Sequence, residues 1–194
     1  MTLYVLRHGQ TTWSRQRRHT GRTDIPLTEE GRSQARAIGP FLTALRGPAP
    51  FTLVLTSPLV RAAETADLAG VSAAVDARLV EWDYGDYDGV TTRVIRAGRP
   101  DWDLWRDGCP GGEGPDAVEK RVDALLAERV IPAAADGEVL LVAHSHLLRA
   151  LAARWLRLPL DGGRLLVLGA AAVGILGQEQ GGPVVLGWNL RPVP

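Results

Sequence analysis

The residues best suited to chemistry sit at the ends of two apolar runs. Arg7-His8-Gly9 follows Leu3-Tyr4-Val5-Leu6, and His144-Ser145-His146 follows Val139-Leu140-Leu141-Val142-Ala143. Histidines delivered by two strand ends make a poor core and a good site. An arginine offers a planar fork of donors matched to phosphate oxygens. A neutral histidine is a competent nucleophile toward phosphorus once one ring nitrogen is free and the other is held. Arg61, read below as lying in the first turn of a helix, adds a second fork at the dipole end that favours an anion. Phosphoryl transfer needs mostly positioning and charge neutralisation, which an Arg/Arg/His cluster supplies without a metal. A leaving alkoxide would still need a proton, and Glu81, flanked by Trp82 and Tyr84, is the candidate donor because partial desolvation suits a general acid.

These groups must be positioned by alternating strands and helices. Leu3–Leu6 reads as a buried first strand, and an arginine-rich loop runs from Gly9 to Pro26. Thr28 reads as an N-cap, with Glu29 and Glu30 complementing the dipole of a helix that buries Ala35, Ile38, Phe41, Leu42 and Leu45. Gly47-Pro48 ends that helix. Phe51 to Thr56 reads as a second strand, and Ser57-Pro58 as a helix start with serine as the cap. A weaker strand is expected from Val75 to Glu81, then a tight acidic and aromatic stretch, Glu81 to Gly89. Val90 to Gly114 reads as a mostly irregular excursion with one short helix. Val118, Val122, Leu125, Leu126 and Val130 mark a further amphipathic helix. The strand 139–143 leads to a helix from near His146 to about Leu156, and two strands, Ala172–Leu176 and Val184–Trp188, close the chain. This alternation implies a layered α/β fold with a largely parallel sheet. An arginine and a histidine at a strand's carboxyl end then project into the crevice where such sheets bind ligands.

Composition narrows the classes. The 194 residues, 45% hydrophobic and 23% charged, suit one globular domain able to bury a core unaided. A formal net charge of zero supplies no bulk field toward nucleic acid or an anionic membrane. The lone cysteine, Cys109, excludes an internal disulfide framework and fits a reducing compartment; its Gly-Cys-Pro-Gly-Gly setting reads as a turn rather than a nucleophile's seat. The longest uncharged apolar stretch, Leu165 to Leu176, falls short of the roughly 20 residues a spanning helix needs. A cytoplasmic location is expected.

Leu6-Arg7-His8-Gly9-Gln10-Thr11, the segment Thr20-Gly21-Arg22-Thr23-Asp24-Ile25-Pro26-Leu27-Thr28, Ser57-Pro58 with Arg61, then Glu81, and the strand into His144 occur in this order. Together they resemble the histidine phosphatase superfamily, also called phosphoglycerate mutase-like, over nearly the whole chain. The resemblance implies a single domain over residues 1–194, a three-layer α/β/α sandwich with a mainly parallel sheet and one reversed strand. It further implies His8 as the nucleophile that becomes phosphohistidine, Arg7, Arg61 and His144 as ligands of the transferring group, and Glu81 as proton donor. Ser14, Thr20, Gly21 and Ser145 would meet the substrate. No cofactor is implied for the phosphatase branch.

That branch fits better than the mutases. Mutases of this kind carry a longer basic insertion, whereas Arg93, Arg96, Arg99 and Arg106 are scattered through a short excursion. The stretch Glu81–Gly89 with Cys109-Pro110-Gly111-Gly112-Glu113 looks more like the acid phosphatase and sedoheptulose-bisphosphatase-like members. Gln10, Ser14 and Ser145 depart from the commoner glutamate, asparagine and glycine. The expected activity is hydrolysis of a small phosphate monoester, such as a sugar phosphate; phosphoglycerate mutase activity is the alternative. A metal site at His8, His144 and His146 is disfavoured because neighbouring arginines would repel a cation. His146 is expected to cap the following helix or face solvent, Trp102 and Trp105 to pack rather than form a lid, and Arg15, Arg17, Arg18 and Arg22 to form a solvated rim, with steering an anionic substrate or gripping its second phosphate as the functional alternative. An exposed sheet edge would permit a homodimer.

Overall fold

The computed structural model describes residues 1–192. Its centre is β1 (Thr2–Arg7), whose Leu3 to Leu6 are all buried. β1 pairs in parallel with β4 (Glu138–Ala143), residue for residue from Thr2 opposite Glu138 to Arg7 opposite Ala143. This register decides the site: the residues that follow, His8 and His144, leave the sheet side by side. β2 (Leu53–Thr56) and β3 (Ala74–Val75) continue the parallel half. On the other flank β5 (Val173–Glu179) runs antiparallel to β1, and β6 (Gly182–Leu190) antiparallel to β5, giving the order β3-β2-β4-β1-β5-β6. Gln180 and Gly181 both have positive φ, as the tight β5–β6 turn requires.

Side chains alternate along the central strands and build two cores. Leu3, Val5, Val139 and Leu141 face α6 (Pro115–Leu125) and α8 (Ser145–Trp155). Tyr4, Leu6, Leu140 and Val142 face α2 (Glu29–Arg46) and α3 (Val60–Leu68). The fold is therefore the expected α/β/α sandwich with a mainly parallel sheet. Thr28 caps α2 as read from sequence, its hydroxyl accepting from the Gly31 N–H at 3.0 Å. After α6 one wide turn, Leu126–Val130, precedes α7 (Ile131–Asp136), where Pro132 can donate no backbone hydrogen bond.

Three local readings are corrected. The strand expected over Val75–Glu81 stops at Val75, because the Asp76 carboxylate turns to accept from the Arg78 N–H at 3.0 Å and pairs with its guanidinium at 2.8 Å. That local pairing favours a single tight helical turn, Ala77–Leu79, over extension. The helix after Ser57-Pro58 begins only at Val60, and its cap residue, Leu59, offers no side-chain bond. The excursion Val90–Gly114 holds two short helices, α4 (Thr92–Gly98) and α5 (Leu104–Asp107), each capped by a side chain, Thr91 and Asp103. Trp102 and Trp105 are buried there, as packing requires.

Candidate active site

The loop leaving β1 is clamped by glycines. A Cβ at Gly9 would collide with the carbonyl of Gly31, and one at Gly31 with that of Gln10, so the loop lies backbone to backbone on α2. The Gly9 N–H also donates to the Thr65 hydroxyl on α3 at 3.1 Å. His8 is thereby held from both sides.

Its chemistry follows from one hydrogen bond. Nδ1 of His8 lies 2.7 Å from the Gly9 carbonyl, which can only accept, so Nδ1 carries the proton. Burial, then the charges of Arg7 and Arg61, push the imidazole pKa well below its ordinary value. The neutral ring thus presents a bare Nε2. Beside it, Arg7 donates from Nη1 to the Leu168 carbonyl at 2.7 Å, while its Nε is buried with no partner among the described residues. A buried, unpaired donor on a cation is costly unless an anion completes it.

Arg7 and His8 both line a cavity of about 280 Å³, with Ser14, Arg17, Arg18, His19, Thr20, Glu81, Tyr84, Thr92, Ser145 and His146. Glu81 is buried at its inner wall, accepting from the N–H groups of Trp82 (2.9 Å), His146 (3.1 Å) and Leu147 (2.8 Å). It caps the N-terminus of α8, whose N–H groups anchor the carboxyl group beside the cleft. Ser14, Thr20 and Ser145 also line the cavity, but their hydroxyls donate to the carbonyls of Thr11, Arg18 and Leu168.

Arg61, His144 and Gly21 are not among the lining residues. Arg61 is fully buried, donating from Nε to His144 Nδ1 (3.1 Å), from Nη1 to Thr23 O (3.0 Å), and from Nη2 to Thr20 O (3.2 Å) and Gly21 O (2.8 Å). His144 therefore carries its proton on Nε2 and donates to the Ser57 hydroxyl at 2.8 Å. Ser57 thus serves His144 as well as the helix entry, where its hydroxyl accepts from the Leu59 N–H at 3.3 Å. The Gly21 N–H donates to Asp88 at 2.7 Å. The rings of His8 and His144 are 5.2 Å apart.

His146, expected as a cap or solvent-facing residue, instead reaches the cavity, where its Nδ1 shares a 2.6 Å hydrogen bond with the Tyr84 hydroxyl. His19 and Tyr84 were not expected in the site. The only sequence signal for either is position: His19 ends the arginine-rich loop, and Tyr84 lies three residues beyond Glu81. Cys109 is buried in its turn, and burial pushes its thiol up to about 12, so it presents no thiolate. Among the described residues no three or more His, Cys, Asp or Glu side chains are grouped to hold a metal ion. No helix among them is long and apolar enough to cross a membrane.

The model of the histidine phosphatase superfamily (branch 1) matches residues 3–191. The chain belongs to this superfamily. It is 42% identical over 195 residues to an acid phosphatase of Mycobacterium tuberculosis, an alignment covering 99% of this chain and 95% of that one. A solved structure from an open reading frame of the same organism superposes with a TM-score of 0.92 at 40% identity, covering 98% of this chain and 97% of its own. A 2,3-bisphosphoglycerate-dependent phosphoglycerate mutase of Gloeobacter violaceus is 34% identical over 163 residues, 77% of this chain and 73% of that one. With its family and its phosphatase relative, this superfamily member is a phosphoric monoester hydrolase.

Proposed function

We propose that this phosphatase hydrolyses small phosphate monoesters, sugar phosphates or similar metabolites, through a metal-independent phosphohistidine on His8. The observation that carries the reading is the bare Nε2 of neutral His8 next in sequence to Arg7, whose buried Nε has no partner among the described residues. Nε2 attacks phosphorus, the P–O bond to the leaving group breaks, and Glu81 delivers the proton that the departing oxygen takes. Glu81, now a carboxylate, accepts a proton from water as that water attacks the phosphohistidine. Inorganic phosphate leaves and His8 regains its free Nε2. Arg7 neutralises charge on the equatorial oxygens throughout. Ser14, Ser145 and Thr20 would join by turning their hydroxyls from backbone carbonyls to the phosphoryl oxygens, with the Gly21 backbone alongside. Arg61 and His144 would reach the group by exchanging bonds they now make to each other and to the 20–23 loop.

The test is phosphate release from p-nitrophenyl phosphate and a panel of sugar phosphates, with a chelator present throughout. Wild type should release phosphate and trap an acid-labile phosphoenzyme on a rapid quench. His8→Ala should lose both, by at least about 10⁴-fold in rate. Release that needs added metal, or a His8→Ala variant that still turns over, would refute the mechanism.

A further inference from the structure

The cleft has a second half that the phosphohistidine chemistry does not use. Among its lining residues are His19, Thr92, Tyr84 and His146, with Arg17 and Arg18 also present. The imidazole of His19 stacks 4.7 Å from Tyr84 and 6.1 Å from His146, centroid to centroid, against Trp102 at 5.6 Å. Trp105 meets His146 edge-on at 5.7 Å. Each histidine spends one ring nitrogen on the protein: His19 Nε2 shares a 3.1 Å hydrogen bond with the Thr92 hydroxyl, and His146 Nδ1 one with Tyr84. Among the described residues the other nitrogen of each ring has no hydrogen-bond partner.

Resting on the proposed phosphatase reading, we infer that His19 and His146 form the leaving-group subsite and select a neutral, hydroxyl-bearing moiety. A neutral imidazole nitrogen can accept from or donate to an alcohol according to tautomer, and the Thr92 hydroxyl adds a third such group. Flat ring faces suit the C–H surface of a polyol. Neither imidazole offers a second anion a charge, since burial pushes His19 down to about 4 and His146 well below its ordinary value. Arg17 and Arg18 lie exposed at the mouth, and Arg18 donates to the Gly89 carbonyl. Exposed at the rim, they steer an anion inward rather than fix which end binds where.

The experiment compares kcat/KM for ribose 5-phosphate and glycerol 1-phosphate with that for 3-phosphoglycerate, which places a carboxylate in this half. Wild type should favour the neutral leaving groups by about tenfold or more, because hydrogen-bonding sites reject groups that leave them unpaired. His146→Phe and His19→Phe keep a ring but remove the nitrogens; each should compress that preference to within about twofold, chiefly through KM for the polyol phosphates. A wild type that prefers 3-phosphoglycerate overturns the subsite, and that arm stands even if a variant fails to fold. So does a preference that survives in both variants. If p-nitrophenyl phosphate is cleaved but the others are not discriminated, only this inference fails. Release from none of them overturns the phosphatase reading with it.

Discussion

Arg7 and Arg61 are arginines of the same site, yet their surroundings differ. Arg61 spends every nitrogen of its guanidinium on His144 and three backbone carbonyls. Arg7 spends one on Leu168 and leaves Nε buried without a partner among the described residues. The same split separates the histidines: His144 has both ring nitrogens engaged, whereas His8 has one engaged and one bare. Groups whose hydrogen bonds are complete hold the architecture, and groups left incomplete beside a cavity await a ligand. In this conformation the Arg61–His144–Ser57 chain is scaffold, and the Arg7–His8 pair is the working face.

That contrast can be broken most decisively at Arg61. Arg61→Met should lower unfolding free energy by about 3 kcal/mol, because it strands buried carbonyls and the His144 nitrogen; urea denaturation measures it. A variant of unaltered stability but lost activity would erase the distinction and make Arg61 chiefly a phosphoryl ligand. Arg7→Gln is the converse: kcat/KM should fall about 10²- to 10³-fold with stability nearly intact, because the group it serves arrives only with substrate. The smallest effect concerns pH. The unfolded chain binds a proton on His19 as pH falls through 6.5, but the folded protein does so only near about 4. Stability contributed by the neutral ring above pH 6.5 is therefore lost between pH 6.5 and about 4. His19→Phe should flatten the dependence of the urea midpoint on pH in that window; an unchanged slope would place the titration elsewhere.

The layered fold was readable because its strands are short apolar runs and its helices carry clear caps, Thr28 above all. The pairing of His8 with His144 was foreshadowed by two runs ending alike, and the β1–β4 register explains it. What escaped the sequence depended on side-chain partners far along the chain. Ser57 and Pro58 have the chemistry of a helix start, and the hydroxyl does accept from Leu59 at the helix entry, but it also takes a hydrogen bond from a histidine 87 residues away that no local pattern announces. Val75 to Glu81 has strand composition, but Asp76 finds Arg78 two residues on. His146 is the second residue of a helix whose N-terminus is occupied by Glu81, and its ring turns to Tyr84. Periodicity shows which face of a helix is apolar; it says nothing of which loop will cover its end.

One consequence of the buried rings concerns the molecule as a colloid. All four histidines of the chain, His8, His19, His144 and His146, have their pKa lowered by burial. Histidine is the side chain that ordinarily titrates between about pH 5 and 8, and the thiol of Cys109 is displaced upward out of that range. The folded protein, formally uncharged at pH 7, thus has almost nothing to buffer with across neutrality. Its electrophoretic mobility should stay near zero over a broad plateau instead of crossing zero at a sharp isoelectric point. Acid unfolding would end that plateau abruptly, as four imidazoles take up protons together.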